Sequence, residues 1–151
     1  MRTVNDILTA KQKTFNSIQP GALVIDAINL LNSVNLSYLI VMDGVEYKGI
    51  FCERDYTRNV ILKGRSSNTT MVKDVMTTDL PMVELNDTVE HCMHLMNSYR
   101  SRYLLAYNDQ QFTGDITIHD LLRQVISEKE EVFDQRLTRS LLDNDESSRI
   151  Y

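Results

Sequence analysis

A shift of 65 residues lays one half of this chain on the other, and a chain that repeats at that length folds as two similar units. Val24, Ala27, Ile28 and Leu31 stand at i, i+3, i+4 and i+7, one face of an amphipathic helix, and the shift carries them onto Val89, Cys92, Met93 and Met96. It also carries LNS (31–33) onto MNS (96–98), Tyr38-Leu39 onto Tyr103-Leu104, Tyr47 onto Phe112, and Gly49 and Asp55 onto Gly114 and Asp120.

Each copy reads as a short strand, a helix, two strands joined by a tight turn, and a second helix. The first copy places these near 15–18, 22–34, 38–42, 46–52 and 53–62, with Asp43-Gly44 as the hairpin signal. The second places them near 80–84, 87–99, 103–107, 111–117 and 118–131, with Asn108-Asp109 at the turn. Asp87 and Glu90 suggest a capping box at the start of the second-copy helix, whereas Pro20-Gly21 marks the first-copy start only weakly. The polar run KGRSSNTT (63–70) between the copies offers little to a core. One small sheet with two helices cannot bury both helix faces. The expected fold class is therefore α+β, two β-α-β-β-α repeats packed sheet to sheet with pseudo-twofold symmetry and a cleft where the strand-to-helix turns meet.

With 42% hydrophobic and 25% charged residues, the chain has the composition of a folded globular protein. No apolar run reaches the roughly 18 residues of a membrane span, and the opening MRTVNDILTA lacks the pattern of a signal peptide, so a cytoplasmic location and no membrane partner are expected. The net charge of −5, with scattered basic residues, argues against nucleic acid as a partner. A small anionic ligand remains compatible with a local cluster of arginines.

The repeated turns are GIFCERDYTR (49–58) and GDITIHDLLR (114–123). In each, the glycine permits a backbone or a ligand to come close, and the aspartate falls in the first turn of a helix. An acidic group there complements the helix dipole by about 0.3–1 kcal/mol. A carboxylate also has two oxygens to receive the adjacent hydroxyls of a ribose, beside helix-end amides that favour phosphate.

The repeat, these two turns, the opening segments VNDIL (4–8) and VKDVM (72–76), and RSRYL (100–104) together resemble a pair of CBS domains, the cystathionine β-synthase motif or Bateman module. The resemblance covers roughly residues 1–131, and ERDYTRNVILKGRSSNTT is similar to the stand-alone bacterial two-domain proteins. It implies one CBS domain over 1–66, a second over 67–131, and a helical extension with a polar tail over 132–151. It further implies a regulatory fold whose cleft takes an adenosine ligand, AMP first, with ATP, NAD(H) or S-adenosylmethionine as the others, and no metal. The family's G-x-x-[ST]-x-x-D motif falls on Gly114, Thr117 and Asp120, with Asp120 on the ribose and the Thr117 hydroxyl on a ribose or phosphate oxygen. The first copy has Gly49 and Asp55 but Cys52 in the hydroxyl position, and a thiol is a weak hydrogen-bond partner, so Asp120 ranks above Asp55. Arg100 and Arg102 match the family's basic positions, where a guanidinium grips phosphate; Arg54, Lys63 and Thr70 are the lesser phosphate candidates. The first copy has Asn35 and Ser37 in place of those arginines, and Ile40 and Leu105 stand where the family often has proline.

Other constellations read as packing. Cys92 shares the apolar stripe while His91 and His94 face away from it, and Met93 and Met96 fill the same core. Tyr99, Tyr103 and Tyr107 suit a half-buried sheet, although a tyrosine can also stack on a base. No nucleophile elbow, P-loop or paired catalytic cysteine is present, so the chain is expected not to be an enzyme. An apolar seam of Leu122, Ile126, Phe133, Leu137 and Leu141 suggests one helix over 118–142 that a second protomer would cover. The resulting expectation is a nucleotide sensor that signals through a homodimer to an effector protein in trans. The alternative, suggested by Cys52, Ser37 and the missing prolines, is a dimerising interaction module with degenerate nucleotide sites.

Overall fold

The computed structural model describes residues 2–11 and 15–128. The elements in chain order are α1 (Val4–Ala10), β1 (Ser17–Ile18), α2 (Val24–Val34), β2 (Tyr38–Asp43), β3 (Glu46–Cys52), α3 (Glu53–Asp55), β4 (Met82–Glu84), α4 (Val89–Tyr99), β5 (Tyr103–Asn108), β6 (Gln111–Thr117) and α5 (Ile118–Glu128). α3 continues as a π-helical stretch over Tyr56–Ile61, and a 3₁₀ turn covers Val72–Asp74. The expected extension of α5 over 129–142, with Phe133, Leu137 and Leu141, and the tail that follows lie outside the described residues.

The architecture is α+β with two three-stranded sheets, ordered β1-β2-β3 and β4-β5-β6. In each, the first pair is parallel and the second antiparallel, and a bulge interrupts the hairpin at Val41/Met42 and again at Ala106/Tyr107. Strand pairing runs through Asp43–Glu46 and Asn108–Gln111, so the central turn residues are Gly44-Val45 and Asp109-Gln110, one place later than Asp43-Gly44 and Asn108-Asp109. In both turns the first central residue has a positive φ, 63° at Gly44 and 56° at Asp109. Glycine adopts this without strain, and aspartate is among the few other residues that tolerate it.

Two compact units form, one of residues 15–79 and one of residues 2–11 with 80–128. The segment preceding each copy therefore packs with the other copy. Val4, Ile7 and Leu8 of α1 share a core with Val83, Cys92, Met96, Leu104 and Ile116. Val72 and Val75 share a core with Val24, Ala27, Leu31, Leu39 and Phe51. Main-chain bonds fix both dockings: Val4 N–H donates to Asp87 O (2.9 Å) and Val89 N–H to Arg2 O (3.1 Å), while Val72 N–H donates to Ala22 O (2.9 Å) and Val24 N–H to Thr70 O (2.9 Å).

Residues 63–70 add nothing to the apolar core, as expected of a polar run, but two of their carbonyls serve α2: Ser67 O and Thr70 O accept its first amides, because its N-cap, Leu23, provides no side-chain acceptor. One expectation is corrected at α4. The cap of α4 is Thr88, whose hydroxyl accepts from His91 N–H at 3.0 Å, while Asp87 instead accepts from Glu84 N–H at 2.8 Å and closes the turn after β4. A hydroxyl suits the N-cap position because the first amides of a helix have no intrahelical acceptor.

Gly49 meets a close backbone approach. A Cβ there would lie 2.8 Å from Thr77 O and 2.8 Å from Met76 Sδ, because Ile50 and Thr77 exchange two main-chain bonds of 2.8 Å beside it. At Gly114 the nearest atom is Leu8 Cδ2, the end of a flexible side chain, at 3.1 Å. Gly49→Ala is therefore expected to lower unfolding stability by about 1–3 kcal/mol, and Gly114→Ala to stay within about 1 kcal/mol of the parent, as measured by urea titration.

Candidate functional site

Thr117 ends β6 and Asp120 lies in the first turn of α5, so the change from strand to helix brings them together. They form reciprocal bonds: Thr117 N–H donates to Asp120 Oδ2 at 2.8 Å, and Asp120 N–H donates to Thr117 Oγ1 at 3.2 Å. Both residues are buried. The pair is a capping box that satisfies amides otherwise without acceptors. Arg102 joins this turn through its main chain, its carbonyl accepting from Ile118 N–H at 3.0 Å, and its side chain is exposed.

Lys11, at the end of α1, brings its ammonium to the same turn. Nζ lies 2.9 Å from Asp120 Oδ2, 3.0 Å from Asp115 O and 3.8 Å from Asp115 Oδ1. Arg123 approaches the other oxygen, Asp120 Oδ1, at 3.8 Å. Two nearly buried carboxylates, Asp115 at 2% and Asp120 at 5% exposure, thus face two cations. Burying carboxylates is tolerable only with such partners.

The first-copy turn distributes its contacts differently. Asp55 Oδ2 accepts from Cys52 N–H (2.9 Å) and from the Cys52 thiol (3.3 Å), while Oδ1 accepts from the Thr77 hydroxyl at 2.8 Å. All three donors are neutral and both oxygens are engaged at close range. Burial, reinforced by the neighbouring Asp55 charge, pushes the Cys52 thiol up to about 11; burial likewise raises Cys92 to about 11. Both side chains therefore stay as thiols near neutral pH. The main-chain tie seen at Arg102 recurs here, with Ser37 O accepting from Glu53 N–H at 3.0 Å.

Among the expected site residues, Gly114, Thr117, Asp120 and Arg102 share one strand-to-helix turn, and Gly49 and Asp55 share the other. Arg54 is exposed one residue before Asp55. Arg100 is exposed at the C-cap of α4 in the left-handed region, at φ 52°, the position that Asn35 occupies at φ 59° after α2. Lys63 is exposed in the linker, and Thr70 is buried with its carbonyl on α2; among the described residues no hydrogen bond or ion pair connects either to Asp55. His91 and His94 are exposed, with His94 facing Glu90 at 3.8 Å. No cluster of His, Cys, Asp and Glu among the described residues has metal-holding geometry.

Three contributors escape the motif reading: Lys11, Asp115 and Thr77. Lys11 lies 109 residues from Asp120 in the chain. One signal for it exists, since the 65-residue shift sets Asp115 against Ile50. A charge replacing an apolar strand residue implies a cation nearby.

Two outcomes follow. Native Cys52 and Cys92 are expected to resist iodoacetamide at pH 7.5 and to react once urea unfolds the chain, because alkylation requires the thiolate. Arg100→Asn is expected to raise thermal stability by roughly 0.5–1 kcal/mol, because asparagine accepts the left-handed region more readily than arginine.

A CBS-domain family model matches residues 72–127. The CBS domain-containing protein CBSX3, mitochondrial, of Arabidopsis thaliana is 30% identical over 138 residues, which is 85% of this chain and 67% of that protein. A solved protein with CBS domains from Burkholderia ambifaria superimposes with a TM-score of 0.79 at 34% identity, over 88% of this chain and 100% of the other. The crystal structure of CBSX2 in complex with AMP has a TM-score of 0.71 at 24% identity, over 86% of this chain and 100% of that one. No helix among the described residues is long and apolar enough to cross a membrane.

Proposed function

Because this chain belongs to the CBS-domain family, we propose that it is a non-catalytic regulatory module that binds an adenosine nucleotide at the Thr117–Asp120 turn. The ligand is AMP first, with ATP, NAD(H) and S-adenosylmethionine as alternatives. The module acts as a cytoplasmic homodimer on a separate effector protein. The sequence repeats of this reading are 1–66 and 67–131, followed by 132–151.

One observation carries it. The helix cap and Lys11 both use Asp120 Oδ2, so Oδ1 is left facing Arg123 at 3.8 Å and has lone pairs for a ribose hydroxyl. The Thr117 hydroxyl lies on the same turn, and the exposed Arg102 and Arg100 side chains provide phosphate donors before β5. CBSX2, which shares the fold, was solved with AMP. The interaction-module alternative finds its support in the other unit, where Thr77 and Cys52 occupy both oxygens of Asp55.

The test is thermal unfolding with AMP, ADP, ATP, NAD, NADH and S-adenosylmethionine, after verifying that no nucleotide co-purifies. A ligand at a hundredfold its Kd adds about 2.7 kcal/mol, a rise of several degrees in Tm for a chain of this length. Asp120→Asn retains an oxygen for the cap but removes the charge, and is expected to weaken binding at least tenfold; Asp55→Asn is expected to change it far less. No shift with any ligand favours the interaction module.

A further inference from the structure

We infer that Lys11 is the positioning residue that selects Asp120, and not Asp55, as the ribose-binding carboxylate. This rests on the nucleotide-binding reading above and adds a residue outside the repeated motif.

The two turns share the same main-chain cap, the amide of Cys52 or Thr117 donating to the aspartate three residues on; beyond the Cys52 thiol, the Thr117 hydroxyl and Arg123, they differ in the group that reaches each from the opening segment of the other copy. In the unit of residues 15–79, that group is Thr77. Its N–H donates to the strand carbonyl Ile50 O at 2.8 Å and its hydroxyl to Asp55 Oδ1 at 2.8 Å. In the other unit the equivalent carbonyl, Asp115 O, receives Lys11 Nζ at 3.0 Å, and the same ammonium reaches Asp120 Oδ2 at 2.9 Å. One cation therefore makes both contacts that Thr77 makes with two donors. The difference lies in the oxygen chosen. Thr77 takes the oxygen not used by the cap, whereas Lys11 shares the capping oxygen with Thr117 N–H.

A carboxylate oxygen has about two lone-pair sites, so Oδ2 of Asp120 is filled by the amide and the ammonium. The carboxylate is held in one rotation with Oδ1 turned away from the cap. The ammonium is held in turn by Asp115, with the Lys11 side chain 24% exposed and that of Asp120 5%. Lys11 thereby reduces the ordering that Asp120 must undergo when a ribose arrives, and preorganisation of this kind raises affinity.

The experiment is isothermal titration calorimetry with adenosine and with AMP, on the full chain at a temperature well below its Tm. Lys11→Met keeps the apolar stem and removes the charge. It is expected to weaken adenosine and AMP by the same factor, about tenfold, and Lys11→Arg to restore most of the loss for both. Lys48→Met removes the same charge from an exposed ion pair with Glu46 on β3 and is expected to leave both affinities unchanged. A loss confined to AMP would make Lys11 a phosphate contact and overturn the positioning role. Unchanged or tighter binding overturns it too, the latter marking Lys11 as a competitor for the carboxylate. If a unit with Lys11→Met unfolds, Lys11→Gln with the same two ligands decides between these outcomes. A parent chain that binds neither ligand removes the nucleotide reading itself, and the inference with it.

Discussion

Both halves of this protein depend on a carboxylate placed where a strand becomes a helix. A chain leaving β3 or β6 must turn within a few residues into a helix whose first amides have no acceptor, and the aspartate three residues on supplies one. The same turn is tied to the start of the preceding strand through Ser37 O and Arg102 O. Carboxylate, helix end and the residue before the middle strand thus form one rigid corner in each unit. In the second unit that corner fixes where the backbone of Arg102 lies.

The corner carries a buried charge, and the two units neutralise it with different chemistry. Around Asp55 the donors are an amide, a thiol and a hydroxyl. Around Asp120 they are an amide and an ammonium, and a second buried carboxylate at Asp115 accompanies the extra cation. Neutral donors satisfy a carboxylate at low cost in desolvation but use up its lone pairs. A cation sharing an oxygen with the cap leaves the other oxygen for an incoming group. The repeat is thus symmetric in fold and asymmetric in how it holds its carboxylates.

Much of this was readable in the amino-acid order, because the fold follows from patterns that repeat. The stripe Val24, Ala27, Leu31 and its copy Cys92, Met96 face their cores as the helical spacing requires. Position within the turn was readable as well, since Asp55 and Asp120 fall at the same register after a glycine. What escaped is whatever depends on distant chain segments. The exchange of opening segments, by which Val4 and Ile7 complete the unit of residues 80–128, leaves no local trace, and neither does the contact of Thr77; for Lys11 the one trace is Asp115, which stands where the first copy has Ile50. The sequence points to Asp87 as the cap where Thr88 serves, because both are good caps in adjacent positions and only main-chain geometry distinguishes them. The π-helical stretch Tyr56–Ile61 has no counterpart in α5 and no sequence signal that we can identify.

If the proposed function holds, sharing one carboxylate between a helix cap and a ligand has a consequence for signalling. Asp120 Oδ2 holds the start of α5 and, through Lys11, the end of α1, so a group arriving at Oδ1 acts on a carboxylate already bonded to two elements of the same unit. A ligand alters the balance between two conformations only by binding one of them more tightly. A state that releases Lys11 would leave Asp115 and Asp120 buried with one cation fewer, so it is disfavoured unless a ligand brings a compensating donor. A ribose with two hydroxyls can do so only in part, because it carries no positive charge. On the proposed function, a nucleotide would therefore favour the arrangement in which Lys11 is bound, and occupancy would be expressed as a firmer junction between α1, β6 and α5, a change in rigidity that a partner touching those elements could read.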